Sequence, residues 1–185
     1  MIPFTRDDAT IVASLTQPES ALLSSLAGQI ADMLEPLATP PHIDDPDAAA
    51  LYASVGIGGS AALSPDPAIA RLLPDAYGGD PEASREFRGL TEMSLASRKV
   101  ANARRVIETL EAADAAGGEL SLDPAATQAW LRTLADIRLT IAARLGIETD
   151  DQPEPDDVAD AELALRDVYD WLAWVTETLL DALEA

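Results

Sequence analysis

At 185 residues the chain is long enough to bury a real core, and its lack of cysteine removes disulfides, thiolate nucleophiles and thiol redox sensing together. Its 33 acidic against 12 basic residues, a net charge of −21, oppose non-specific adhesion to nucleic-acid phosphates and to anionic membranes. No run approaches the length of a membrane span, and MIPFTRDDAT has no basic segment followed by an apolar core, so a cytoplasmic protein without a signal peptide is expected.

In chain order, Thr10 to Leu15 alternates, with Ile11, Ala13 and Leu15 on one side, which predicts a short half-buried strand. Thr16 and Glu19 have capping-box spacing. Leu22, Leu23, Leu26, Ile30, Met33, Leu34 and Leu37 then predict an amphipathic helix that stops before Pro40. Residues 38–66 are rich in Pro, Gly, Ala and Asp and read as a long flexible loop, with a weak helix near Asp47 to Ser54. Asp66-Pro67 opens a short helix carrying Ile69, Leu72 and Leu73. Asp80-Pro81 opens a long one, whose apolar positions are Phe87, Leu90, Met93, Ala96, Val100, Ala103, Ile107 and Leu110 on near-heptad spacing. Arg104 falls on the same arc. Gly117-Gly118 is a turn, and Glu119 to Leu122 alternates again. This second strand is expected to pair with the first as a two-stranded ribbon lying on the helices. Each strand runs at once into a capped helix, which suggests a strand-plus-helix repeat.

The stretch from Leu122 to Ile147 is the one the rest of the chain is expected to be organised around. Asp123 is placed as N-cap and Pro124 as first helical residue; Trp130, Leu131, Leu134, Ile137, Ile141 and Leu145 form the stripe; Gly146 closes it. Arg138 lies inside that stripe. Residues 148–158 form an acidic, proline-broken linker loop. The last helix spans Asp160 to Leu183, with Leu165, Val168, Leu172, Val175, Leu179 and Leu183 inward. Trp174 projects about 200° from Leu172 around the helix, and Trp171 lies on the border of the stripe. The expected fold is one mainly α domain over 1–185, multi-helix and orthogonal or bundle-like, with a minor two-stranded β ribbon.

Charge is unevenly spread. Glu148 to the C-terminus holds 13 acids and one base, Arg166, whereas Arg85 to Arg105 holds six bases and two acids. Arg98, Lys99 and Arg105, with Trp171 and Trp174, are candidate interaction residues. Arg104 and Arg138 are candidates for an anion clamp in a groove between helices, or else for buried ion pairs with internal acids.

The remaining motifs are weak. Gly56, Gly58 and Ala61 match part of a dinucleotide fingerprint, but Pro65 and Pro67 stop the helix it needs. His42 is the lone histidine, flanked by prolines and Asp44, and reads as an exposed loop residue. Zinc lacks its ligand set, and Asp150 to Asp157 lacks the glycine and spacing of an EF-hand. No catalytic residue, metal site or cofactor is expected.

The runs RLLPDAY, DPEASREFRGLTEMSLASRKVANARRVIETL, AWLRTLADIRLTIAARLGI and YDWLAWVTETLLDAL, in that order, resemble an actinobacterial family, the domain-of-unknown-function family two-zero-one-seven. The resemblance covers Thr10 to Leu37 and Ala68 to Leu183. The shared motif falls on Trp130, Leu131, Leu134, Asp136, Arg138, Leu139, Arg144 and Leu145, then on Tyr169, Trp171, Leu172 and Trp174. It implies genes near those of the ClpS protease adaptor and of a sulfur-carrier route to cysteine. It also implies a link to transcriptional control of oxidative stress, with cysteine pairs as sensor. A cysteine-free chain cannot carry that sensor over.

The functional expectation is therefore a non-enzymatic cytoplasmic regulator or adaptor acting through protein contacts, with a partner in the transcription or proteolysis machinery. The first alternative is a DNA-binding regulator using the Arg85–Arg105 helix, although the acidic total makes tight binding alone unexpected. The second is a small-anion binding module at an Arg104/Arg138 groove. A homodimer through Trp174 is a further expectation, opposed by like charge from Asp167, Asp170, Glu177 and Asp181, and so strengthened by salt.

Overall fold

The computed structural model describes residues 1–39, 64–77, 79–149, 152 and 159–185. The expected helix near Asp47 to Ser54, the glycine motif, His42 and most of 148–158 lie outside the described residues.

Three antiparallel strands form a small sheet in the order β1 (Ile2–Asp7), β2 (Thr10–Ser14), β3 (Glu119–Leu122). β2 and β3 are the expected ribbon, paired Ile11 to Leu122 and Ala13 to Leu120. Their inward side chains are buried on one face, as the alternation required. β1 is an addition to that reading. It joins β2 through a tight turn at Asp8, whose φ of 50° is left-handed, and a Thr10 hydroxyl donates to the Asp7 carbonyl at 3.0 Å. Only Phe4 of β1 is buried, so the strand carries almost no apolar alternation, and Pro3 weakens its sequence signal further.

Five helices among the described residues pack on this sheet and on each other: α1 (Gln17–Ala38), α2 (Pro67–Leu72), α3 (Pro81–Ala115), α4 (Pro124–Arg144) and α5 (Asp160–Glu184). The fold is mainly α with a minor β element. Three Asp-Pro pairs start helices as expected: Asp66 accepts from the Ala68 amide, Asp80 from Glu82 and Ala83, and Asp123 from Ala126. The capping residue supplies an acceptor to an orphan amide, and the proline has no amide to satisfy. At α1, Glu19 accepts from the Thr16 amide at 2.8 Å and also holds the N-terminal ammonium at 2.9 Å.

Gly118 lets α3 turn into β3. Its φ is +95°, and a Cβ there would sit 3.1 Å from the Leu15 carbonyl oxygen, so the β2–β3 approach requires glycine. Gly146 ends α4 at φ +66°, with the Ile147 amide donating back to the Ala142 carbonyl at 2.9 Å.

α1 packs along α3, and α4 lies against α2, α3 and α5. Buried alanines on α1 and α3 (Ala27, Ala31, Ala96, Ala103) leave room for close approach of the two backbones. Trp130 of α4 is fully buried; its indole donates to Thr109 Oγ1 at 2.8 Å, and Phe4 meets it edge-on at 5.8 Å. α5 packs on β1 and α4. Arg6 of β1 donates to the Ala182 and Leu183 carbonyls at 3.3 and 2.6 Å, placing a cation at a helix C-terminus whose last turn has no base of its own.

The first half of α3 differs from expectation. Phe87 and Leu90 are exposed, whereas Ser84, Arg88 and Glu92 are buried. The Leu73–Tyr77 connection lies over this end of the helix and presents polar groups that need partners. Arg88 donates to the Leu73 carbonyl at 3.1 Å and to Asp75 at 2.5 Å, and Ser84 donates to the Tyr77 carbonyl at 2.7 Å. Phe87 packs outside, edge-on to Tyr77 at 5.7 Å.

Candidate functional site

The cationic segment of α3 is mostly neutralised within the chain. Arg88, 7% exposed, pairs with Asp75 and, at 3.4 Å, with Glu92. Lys99 donates to buried Asp136 at 2.5 Å. Burial pushes the Asp136 carboxyl above the usual carboxylate range, although Lys99 pulls the other way. Arg105 reaches Glu108 at 3.3 Å and Asp123 at 3.4 Å. Only Arg85 and Arg98 of the six bases lack a carboxylate among the described residues, and both are exposed.

Arg104 pairs with Glu35 of α1 at 2.7 Å, but its side chain is 60% exposed, so it does not face the core. A strict seven-residue spacing lags an α-helix by about 20° per heptad. Over the 35 residues of α3 that lag moves the buried line onto Ala103 and Val106 and leaves Arg104 outside.

Arg138 is half-buried on α4, but no carboxylate among the described residues meets it. Its guanidinium lies over the Tyr169 ring of α5, 4.8 Å from the centroid, and its Nε is buried without a hydrogen-bond partner. Both residues line a cleft of about 480 Å³ between α4, α5 and the α2 end, with Arg71 and Glu148 on its walls. Arg104 does not line this cleft, so the structure does not bring the two expected arginines together. Sequence reasoning had Tyr169 as a position of the shared motif and Arg71 in the run RLLPDAY, but gave neither a role beside Arg138, because their separation from it in the chain gave no local signal. A second groove, about 500 Å³ and more apolar, runs between α1 and α4 under Met33 and Leu165. An Arg144–Asp66 pair at 2.7 Å stands on its wall, and Arg144 holds the Asp66 carboxyl below its usual range.

On α5, Leu172, Val175 and Leu179 are buried, Trp171 is partly buried, and Trp174 is 40% exposed. By helical spacing Trp174 shares its outward face with Leu163, Asp167, Asp170, Glu177 and Asp181, all exposed except the partly covered indole edge. That face is an aromatic centre in an acidic surround. Among the described residues, no group of three or more acidic or histidine side chains could hold a metal ion, and no helix is long and apolar enough to cross a membrane.

A family profile described as a domain of unknown function (DUF2017) matches residues 1–183. The chain belongs to the DUF2017 family. Within reach of that family, it is 31% identical to the Mycobacterium leprae AosR over 183 residues, covering 90% of this chain and 79% of that one. Proteins of Mycobacterium bovis and Mycobacterium tuberculosis, each named oxidative stress regulator AosR, are 31% identical over 188 residues, covering 95% of this chain and 83% of theirs. No solved structure matches the chain significantly. The DUF2017 match takes in both surfaces described above, the paired cations of α3 and the outward face of α5.

Proposed function

We propose that this DUF2017 protein is a non-enzymatic regulator in oxidative-stress control that acts through a protein partner docked on the outward face of α5. The names of its mycobacterial relatives support the regulatory part. The observation that carries the contact part is Trp174, an indole 40% exposed on a helix whose surrounding exposed residues are acidic. Exposed tryptophan is costly in water and favoured as an interface anchor. The matching partner surface is an apolar pocket rimmed by Lys or Arg, which would also steer association. Transcription or proteolysis machinery is the proposed source of that partner, in the cytoplasm. The chain has no cysteine, so its regulation does not run through thiol oxidation of its own residues.

Self-association through the same face is disfavoured, since two copies would bring like charges together. Direct DNA binding is the second reading, favoured only by exposed Arg85 and Arg98 on α3. Four of the six bases there already hold carboxylates, and freeing them for phosphate would cost those pairs. Affinity capture with the intact protein and with Trp174→Glu, each circular-dichroism-matched, tests the proposal. Loss of a defined transcription or proteolysis partner on substitution supports it; equal capture by both proteins refutes the α5 surface.

A further inference from the structure

In an acidic protein, a basic side chain that is partly buried and meets no carboxylate is unusual. The described structure has four partly buried cations: Arg71, Lys99, Arg138 and Arg166. Lys99 pairs with Asp136 and Arg166 with Glu162. Arg71 and Arg138 pair with no carboxylate among the described residues, and both line the same cleft of about 480 Å³.

The two arginines are held in place rather than free. Arg71 donates one N–H to the Ile147 carbonyl at 2.5 Å, which fixes it to the end of α4. Arg138 stacks on Tyr169 with its centre 4.8 Å from the ring centroid, and its buried Nε–H has no acceptor among the described residues. A stacked guanidinium loses little freedom on accepting an anion, and its planar fork matches a carboxylate. That Nε is sealed from solvent, so an anion in the cleft would be met by the terminal N–H groups of the guanidinium. Beside the arginines the lining is apolar, from Leu139 and Ala142 on the helix that carries Arg138 and from Ile147, whose carbonyl holds Arg71. Among the described residues, Glu148 is the one acid on the lining, and it is exposed and forms no ion pair.

We propose that this cleft binds a small organic carboxylate with an apolar body. The carboxylate would take the free N–H groups of Arg138 and Arg71, and its body would lie on Leu139 and Ala142. The volume is within the range of small-molecule sites, roughly 300–1,000 Å³. Among the described residues, two guanidinium groups and one exposed carboxylate line the cleft, in a protein of net charge −21, and the pair of cations is what would attract an anion there. This site is independent of the α5 docking surface, and its failure would leave that reading standing.

Isothermal titration of the full chain with benzoate, with neutral benzamide and with inorganic phosphate tests the assignment. Benzoate is expected to bind and benzamide not to bind. Arg138→Gln should weaken benzoate roughly tenfold or more, the loss of a charge-assisted hydrogen-bond pair. Arg138→Lys should recover only part, because it keeps charge but not the fork. The unliganded unfolding midpoint of each variant separates this from a structural role; should Arg138→Gln fail to fold, Tyr169→Leu, which removes the ring under the guanidinium along with its hydroxyl, is expected to weaken benzoate in its place. Equal binding of benzoate and benzamide, phosphate binding without benzoate, or unchanged benzoate affinity in the variants overturns the proposal.

Discussion

α3 and α5 use charge in opposite ways. α3 carries six bases between Arg85 and Arg105, and four of them are tied to acids from the α2–α3 connection, α1, α4 and its own next turn. Two of these four, Arg88 and Lys99, are tied down below the surface, whereas Arg104 and Arg105 hold exposed pairs. α5 carries Asp167, Asp170, Glu177 and Asp181 around Trp174, and no base among the described residues is bonded to any of these four. Its acids face outward and leave an aromatic side chain partly uncovered. A run of like charge in sequence is thus no guide to a binding surface until its partners are known: most of the cationic run is paired within the chain, and these four acids hold no base among the described residues.

Breaking an α3 pair should give the largest effect. Lys99→Met leaves Asp136 buried without its cation, and removing one member of such a pair costs about 3–5 kcal/mol. Chemical denaturation at neutral pH should show that loss, and an unchanged midpoint would mean that the pair does not support α3 on α4. The same variant has a pH signature of known sign. Burial raises the Asp136 carboxyl above its ordinary 3.8, so its contribution is fully present below that value and is lost as pH rises through the higher folded value. Without Lys99 to pull it down, the folded value rises further. The cost of Lys99→Met should therefore shrink on acidification, and a cost constant from neutral pH to pH 4 would contradict it.

Asp66 has the opposite sign. Arg144 lowers its carboxyl, so its contribution is present above its ordinary 3.8 and is lost as pH falls through the depressed folded value. Arg144→Gln should flatten the acid limb of the stability curve without moving the neutral plateau by more than about 1 kcal/mol, the worth of an exposed pair.

On α5 the expected pattern is reversed. Trp174→Glu should change stability by no more than about 1 kcal/mol, because the indole is 40% exposed and its neighbours on that face are solvated. Light scattering at low and high salt should find the native protein monomeric or only weakly associating as repulsion is screened. A variant that unfolds would move Trp174 from the surface to the core. The smallest effect belongs to Arg104→Gln: its pair with Glu35 is exposed on both sides, and the midpoint should move by less than about 1 kcal/mol.

Local chemistry was the legible part of this sequence. Asp-Pro pairs at 66, 80 and 123 and the glycines at 118 and 146 announce helix starts and stops, because each supplies an acceptor or a left-handed φ that the backbone there needs. The inward faces of β2, β3, α1 and α4 followed from periodicity. β1 did not, since one buried Phe4 makes no pattern. Nor did the buried Ser84, Arg88 and Glu92 line, because an arginine reads as surface until the Leu73 carbonyl and Asp75 that need it are in view. At the candidate sites, Arg138 was legible from its place inside an apolar stripe. Its neighbours Tyr169 and Arg71 come from other helices, and only the packing of α2 and α5 on either side of α4 brings them together.

Because four of the six bases of α3 hold carboxylates, we infer that this chain does not bind DNA tightly by itself. Fluorescence anisotropy with labelled duplex at physiological salt tests it most directly, first with mixed sequence and then with promoter fragments responsive to oxidative stress. The account predicts no binding tighter than the non-specific range of roughly 10⁻⁶ M. Saturable, sequence-dependent binding at roughly 10⁻⁸ M or tighter, abolished by Arg85→Gln with Arg98→Gln, would contradict it and transfer the function from α5 to α3.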